Sequence, residues 1–224
     1  MSIEYSIQKL AEEAVKLVKG AKVVGLGSGS AAGFLVRQMA KLSDKESIEF
    51  VPTSLQIKLE AEKSSLRIGD ENIIPYIDIV FDGADQIDSK FNMIKGGGGA
   101  LLREKILISA AKKVVIVADE SKFVEAFDRP VPIEVHPMAR SVVSKKLKEM
   151  RGQPVLRQLE KGYPFVTENG NLILDAYFSS VKDPRKLEQE LKNIAGVLEV
   201  GLFTRRADIY YKVRHDGTYE TLTF

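Results

Sequence analysis

The chain has 224 residues, enough for one large domain or for a medium one with a smaller companion. Hydrophobic residues at 44% and charged residues at 29% are ordinary globular values, and a net charge of +2 gives no electrostatic case for nucleic acid. The absence of cysteine excludes disulfides, thiolate catalysis and cysteine-based metal sites, and only two histidines, His136 and His215, argue against a histidine-rich metal centre.

Residues 6–19 carry Ile7, Leu10, Ala11, Ala14, Val15 and Val18 at helical spacing, and Gly20 ends that helix. Lys22 to Leu26 reads as a short apolar strand, followed by the turn Gly27-Ser28-Gly29-Ser30 and a helix from Ala31 to about Leu42. A second strand, 48–51, closes on Pro52-Thr53-Ser54, and a helix over 55–64 and a brief strand at 66–68 follow. Ile77 to Phe81 is a buried strand ending at Asp82; beyond a glycine-rich loop come a helix and then a strand, 114–118, ending at Asp119. Continuous apolar strands alternating with helices predict a parallel sheet covered on both faces.

The pattern changes near Pro130-Val131-Pro132. From there the chain reads as strand 131–135, helix 138–150, strands 154–159 and 171–178, helix 183–193 and strand 197–202. That order is the split βαβ, ferredoxin-like arrangement. Glu168-Asn169-Gly170-Asn171 supplies the tight turn into the second inner strand. Residues 206–213 alternate, with Ile209, Tyr211 and Val213 on one face, and predict an added strand that returns to the first domain. The expected division is 1–128 with 205–224 for the larger domain and 129–204 for the smaller.

Open α/β sheets bind ligands beyond the carboxyl ends of their strands. Four polar clusters fall there: Ser28-Gly29-Ser30, Pro52-Thr53-Ser54, Asp82-Gly83-Ala84-Asp85 and Asp119-Glu120-Ser121-Lys122. Gly27-x-Gly29-x-x-Ala32 fits a dinucleotide fingerprint loosely, but the expected acid does not close the second strand, so a lone phosphate suits this loop better. The spacing of Asp82 and Asp85 suits a turn, a pair of magnesium ligands or metal-free acid–base chemistry; nearby Lys95 would compete with a metal for them. The run Lys95-Gly96-Gly97-Gly98-Gly99 opens directly onto the apolar Ala100-Leu101-Leu102, which marks a ligand-approaching loop rather than a solvated linker. Glu104 follows, with apolar Ala100, Leu101, Leu107 and Ile108 at helical spacing around it. A carboxylate there either points outward or is held in a poorly solvated pocket that raises its pKa and suits it to proton transfer; the pattern alone does not separate Glu104 from Arg103 or Lys105.

Taken in order, Gly25-x-Gly27-Ser28-Gly29-Ser30, Pro52-Thr53-Ser54, Asp82-Gly83-Ala84-Asp85, Lys95-Gly96-Gly97-Gly98-Gly99-Ala100 with Arg103-Glu104-Lys105, Ala118-Asp119-Glu120-Ser121-Lys122 and Gly201-Leu202-Phe203 closely resemble ribose-5-phosphate isomerase type A over about residues 7–205. The resemblance implies an α/β fold, a Rossmann-like domain carrying a small ferredoxin-like α+β domain. It implies interconversion of ribose 5-phosphate and ribulose 5-phosphate in the pentose phosphate network, with no metal and no organic cofactor, by a homodimer or homotetramer. Glu104 is then expected to carry the carbon-bound proton. Lys95, with the amides of Gly96, Gly97 and Gly98, would stabilise the oxyanion. Asp82 would move hydroxyl protons, and Asp85 would hold hydroxyls or orient Lys95. Ser28, Gly29, Ser30, Ala31 and Lys122 would hold the phosphate end, with Gly83 and Ala84 lining the sugar.

Three departures stand out: Ala31 in place of the usual threonine, Gln86 in place of glutamate after the Asp82–Asp85 run, and Val200 where a polar residue is common. The competing reading is a non-catalytic sugar-phosphate sensor, for which a DNA-binding helix pair is lacking. The expected ligand is a small sugar phosphate. No apolar run reaches membrane-spanning length and Met1 to Leu10 lacks a signal core, so a cytoplasmic protein with no membrane partner is expected. Leu172, Ile173, Leu174 and Phe178 are expected to supply an oligomer interface.

Overall fold

The computed structural model describes residues 3–224. Its elements are α1 (Ile3–Ala14), β1 (Val23–Leu26), α2 (Ser30–Met39), β2 (Glu49–Pro52), α3 (Leu55–Lys63), β3 (Ile79–Asp82), β4 (Gln86–Ile87) and β5 (Met93–Ile94). There follow α4 (Leu101–Ala110), β6 (Lys113–Asp119), β7 (Val131–Val135), α5 (Arg140–Glu149), β8 (Gln153–Leu156) and β9 (Leu172–Tyr177). The remainder is α6 (Pro184–Lys192), β10 (Val197–Val200), β11 (Leu202–Phe203), β12 (Ile209–Val213) and β13 (Tyr219–Thr223). These divide into two units. The first runs to Ala84 and adds Arg103–Lys122 and Ala207–Phe224; the second comprises Asp85–Leu102 and Phe123–Arg206.

The first unit is a six-stranded sheet in the order β13-β12-β6-β3-β1-β2. All its pairings are parallel except β12 with β13. The six apolar positions of the 6–19 stripe are all buried, and they pack in one cluster with Leu26, Phe50 and Phe81. The strands carry no inside–outside alternation: every residue of β1 and of β3 is buried, as a sheet covered on both faces requires. β12 joins β6 in parallel with Ile209 opposite Val115, so the alternating tail returns as expected. Asp78 ties this sheet's amino end together. Its carboxylate accepts from the backbone N–H of Lys22 (2.8 Å) and Val23 (3.1 Å) and from the Lys112 ammonium (2.8 Å). Burial works to raise that carboxyl, but the Lys112 hydrogen bond, the two N–H bonds and the Lys112 charge outweigh it and hold it below the usual carboxylate range.

The second unit contains an antiparallel sheet in the order β10-β7-β9-β8, the ferredoxin-like order expected of the strand–helix–strand–strand–helix–strand pattern. Val131, Ile133 and Val135 of β7 share its core with Val143 and Leu147 of α5 and Leu191 of α6. The turn before β9 is fixed from within. Glu134, fully buried, accepts at Oε1 from Thr167 Oγ1 (2.8 Å), Asn169 Nδ2 (3.0 Å) and Asn171 Nδ2 (2.9 Å), while Gly170 takes φ +78°.

Four expectations change. Residues 66–68 form no strand; Ile68 makes a single bridge to Phe50. The run 197–202 is two strands, because Gly201 passes the chain from β10 into β11, and β11, β5 and β4 form a separate three-stranded sheet. That sheet draws residues 85–102 into the second unit, and a bridge from Ile87 to Phe123 draws in the segment after β6, so the division differs from a break at 128. Strands of two residues are too short to show a period, which is why they escape a reading of the sequence. Finally, Ile173 and Leu174 are 0% and 2% exposed, because β9 is an inner strand; Leu172 and Phe178 pack partly against the same core. None of the four forms an outer apolar face.

Candidate active site

Within the first unit the chain leaves β1 for β2 on one side and returns to β3 on the other. Strand order reverses between β1 and β3, the place where such sheets open a crevice beyond their carboxyl ends. The loop after β1 and the last residue of β3 meet there. Asp82, 1% exposed, lies against Gly27 so closely that a Cβ added at residue 27 would stand 2.0 Å from Asp82 Oδ1. Gly27 is therefore the space that the Asp82 carboxylate occupies. Its own N–H donates to Phe81 O at 2.7 Å, and Gly83 N–H donates to Asp82 Oδ1 at 2.8 Å.

Ser28 shares a 2.8 Å hydrogen bond between its hydroxyl and that of Thr53, which follows β2 and is 1% exposed. Ser54 is used structurally, as the N-cap of α3, accepting from Ile57 N–H at 3.3 Å. Gly29 holds φ +90° at the entry to α2, a conformation that favours glycine, and Ser30 opens the helix. This is an anion-receptive helix start with hydroxyls beside it. Ala31 packs against the core beneath and offers no hydroxyl. Lys122 closes the turn after β6, half-buried and two strands from β1. Glu104 stands in the first turn of α4, which runs back toward the start of β6, so that turn lies toward the carboxyl end of the sheet. It is 5% exposed, whereas Arg103 and Lys105 are half-buried. Burial separates the three residues that the sequence pattern leaves equivalent.

The second unit carries the glycine loop. Lys95 is 3% exposed, with its ammonium 5.5 Å from the centroid of the Phe203 ring. Its backbone N–H donates to Gly201 O at 2.9 Å, and Gly201 N–H donates to Pro132 O at 2.7 Å. A Cβ at Gly201 would stand 2.4 Å from Lys95 O, so β11 approaches the lysine backbone as only glycine allows. Asp85 accepts from Gly97 N–H at 2.7 Å. Arg157 donates through Nη1 to the carbonyls of Gly96 (2.7 Å) and Gly97 (3.0 Å). Its other edge grips Asp175, with Nε to Oδ2 at 2.9 Å and Nη2 to Oδ1 at 2.5 Å. Gln86, 4% exposed, holds Asp128 through its amide and accepts from Asp128 N–H (3.2 Å) and Arg129 N–H (3.1 Å). Gln86 thus anchors a loop, and a glutamate there would set two carboxylates together.

Ser28, Gly29, Ser30, Ala31, Asp82, Gly83, Ala84, Glu104 and Lys122 belong to the first unit, and Asp85, Lys95, Gly96, Gly97 and Gly98 to the second. The structure brings Ser28 to Thr53, and Asp85 to the glycine loop. Thr53 stood in a cluster at a strand end without a role of its own. Arg157 was missed; its signal is a charge pair, Arg157 just after β8 with Asp175 on β9. His136 caps a 3-10 turn by accepting from Met138 N–H at 3.3 Å, and Lys145, Lys146 and Lys148 lie on an exposed helix face. Among the described residues, no group of three or more His, Asp or Glu side chains is placed to hold a metal ion, and no helix is long and apolar enough to cross a membrane.

The chain is similar to known proteins over most of its length. Residues 49–217 match the family model of ribose 5-phosphate isomerase A (phosphoriboisomerase A). The chain is 39% identical over 213 residues to ribose-5-phosphate isomerase A of Methanosarcina acetivorans, covering 94% of this chain and 91% of that one. It is 40% identical over 215 residues to the Thermococcus kodakarensis protein of the same name, covering 93% and 94%. The solved structure of ribose 5-phosphate isomerase A from Methanocaldococcus jannaschii superposes over the full length of both chains, with TM-score 0.90 and 36% identity. A D-ribose-5-phosphate isomerase in complex with phospho-erythronic acid does so with TM-score 0.93 and 35% identity. With the family model spanning most of its length and relatives alike from end to end, this chain belongs to the ribose 5-phosphate isomerase A family.

Proposed function

We propose that the protein interconverts D-ribose 5-phosphate and D-ribulose 5-phosphate through an enediolate, as a step of the non-oxidative pentose phosphate network. One observation carries the reading: two buried carboxylates, Asp82 and Glu104, stand in the unit whose strand order reverses beside a helix start suited to phosphate. The names of the relatives point the same way and leave the sensor alternative without support.

The open-chain sugar is held at its phosphate end by the hydroxyls and amides of Ser28, Gly29 and Ser30, with Thr53 fixing the Ser28 hydroxyl and Lys122 adding charge. Anchoring that end positions the reacting carbons. Glu104 removes the proton from C2 of the aldose and returns it to C1 of the enediolate; reversal of the same steps serves the ketose. A buried carboxylate held at the reacting carbons suits this shuttle. Lys95 and the glycine loop meet the charge that develops on the sugar oxygen. Asp82 moves protons among the sugar hydroxyls, including that released on ring opening. Asp85 acts on the loop, through Gly97 N–H, rather than on Lys95 alone.

The family's usual homodimer or homotetramer is part of the proposal. Support in the second unit comes from exposed Val155, Leu159, Tyr163, Val166 and Tyr177, in place of the β9 residues.

Proton NMR of ribose 5-phosphate in D₂O with excess EDTA tests the reaction. The expected result is ribulose 5-phosphate with deuterium entering at C2 of the aldose or C1 of the ketose. Conversion only after added Mg²⁺ would make Asp82 and Asp85 metal ligands. Conversion without deuterium entry would mean either that Glu104 returns the same proton to C1 before it exchanges with solvent or that hydrogen moves as hydride, and no conversion would remove the activity.

A further inference from the structure

Arg157 lies in the edge hairpin of the four-stranded sheet, outside every motif that carries the family resemblance, yet its guanidinium donates to two carbonyls of the glycine loop, the first of which also accepts from Gly99 N–H at 3.0 Å. Its backbone is fixed on both sides, by Arg157 N–H to Ile173 O (2.9 Å) and Phe165 N–H to Arg157 O (3.0 Å). The side chain is 16% exposed and its partner Asp175 17%. The Phe165 ring flanks the guanidinium at 5.8 Å and also fills the space that a side chain at Gly99 would need, with ring carbons 2.4–2.5 Å from a Cβ built there. One edge of the planar fork is bidentate to Asp175, and the other reaches two successive carbonyls, those of Gly96 and Gly97.

A trans peptide points its N–H opposite to its C=O. With both carbonyls turned to Arg157, the N–H groups of Gly97 and Gly98 are turned the other way. The first of them is accounted for, since it donates to Asp85 Oδ2 at 2.7 Å. The second belongs to the most open residue of the loop, where an added Cβ would meet nothing within 4 Å. Two successive N–H groups on one side form an anion-binding concavity, and here one is taken by a carboxylate. A cation bonded to the carbonyl of a peptide also draws electron density from its N–H, making that N–H a stronger donor.

We infer that Arg157, held by Asp175, is a positioning residue that sets the peptide planes of Gly96–Gly97 and Gly97–Gly98 so that Gly98 N–H faces the oxyanion of the enediolate. The inference rests on the isomerase reading. It assigns to the ferredoxin-like unit a part in the chemistry, carried through the loop and not by contact with substrate. Lysine does not replace arginine in it, because one ammonium lacks the planar fork that spans Asp175 and two carbonyls.

Arg157→Ala, Arg157→Lys and Asp175→Asn, with the unaltered protein alongside, test it. Each is assayed for kcat and KM and for affinity toward phospho-erythronic acid, whose carboxylate stands in for the enediolate oxygens. Turnover by the unaltered protein tests the isomerase reading separately. For Arg157→Ala, kcat falls about 10- to 100-fold, since a lost oxyanion donor costs about 10²–10³ and the loop retains Lys95. KM for ribose 5-phosphate stays within about threefold, and phospho-erythronic acid binds more weakly by the same factor as kcat falls. Added guanidinium restores part of the turnover of Arg157→Ala. Arg157→Lys falls in the same direction, which keeps the test intact should the alanine variant not fold. Asp175→Asn gives a smaller loss of the same kind. Unchanged kcat in a folded Arg157→Ala or Arg157→Lys protein overturns the inference. So does a rise in KM at constant kcat, which would make Arg157 a substrate-binding group.

Discussion

In the proposed reaction Glu104 carries the proton, and its burial is why it rather than Arg103 or Lys105 is expected to act. Glu104→Gln keeps the shape and removes the base, so the fold persists while kcat falls by about 10²–10⁴-fold with KM within about threefold. Steady-state kinetics beside a thermal melt decides this, and turnover within tenfold of the parent would end the assignment. In the sequence the carboxylate could be placed among apolar neighbours but not buried, because α4 is apolar on nearly every side and gives no unique inner face. Asp82 was legible as a strand-end acid. That Gly27 is the hollow into which it fits was not, since the contact joins residues 55 positions apart whose proximity depends on β1 pairing with β3. Arg157 was readable only as half of a charge pair with Asp175; its bonds to the glycine loop go to backbone carbonyls, which leave no trace in residue identity.

At the scale of elements, long apolar strands and helices were readable from their periods, and the two-residue strands were not. β4, β5 and β11 are nonetheless the elements that seat Lys95. The backbone of Lys95 hangs from Gly201, and Gly201 from Pro132. Gly201→Ala places a methyl 2.4 Å from Lys95 O and 2.9 Å from Pro132 O, both backbone atoms that have nowhere to go. Overpacking of this kind costs about 1–3 kcal/mol of stability. Displacement of the lysine backbone by a fraction of an ångström to about 1 Å lowers kcat by up to about 10²-fold. Urea titration and kinetics on the same sample measure both, and a variant with parental stability and turnover would show that β11 yields. The departure at Gln86 belongs to this scale too, because its amide holds the segment after β6 and serves no chemistry.

For the molecule as a whole, Asp78 links the loop before β1 to the loop before β6 and gives the fold a defined acid sensitivity. Its carboxyl is held below its usual range when folded, so the folded protein binds this proton less readily than the unfolded chain. The stabilisation is present in full above about pH 4, near the unfolded value, and fades as pH falls through the folded one. Asp78→Asn therefore lowers Tm at pH 7, and the gap to the parent narrows as the pH is taken below about 4. A gap of equal size at both pH values would mean that packing, not charge, is what Asp78 contributes.

The first unit's sheet is assembled out of the order in which a ribosome delivers it. β1, β2, β3 and β6 emerge early, the whole of β7 to β11 follows, and only then comes β12 to cover β6. β6 is the longest strand of the sheet, and residues 114–118 of it are buried in the finished fold. During synthesis its unpaired edge is an apolar template open to any neighbouring chain. Nascent chains with β6 outside the ribosome and β12 still within it are thus the ones expected to need a chaperone most, and release of β12 is the event that ends that need.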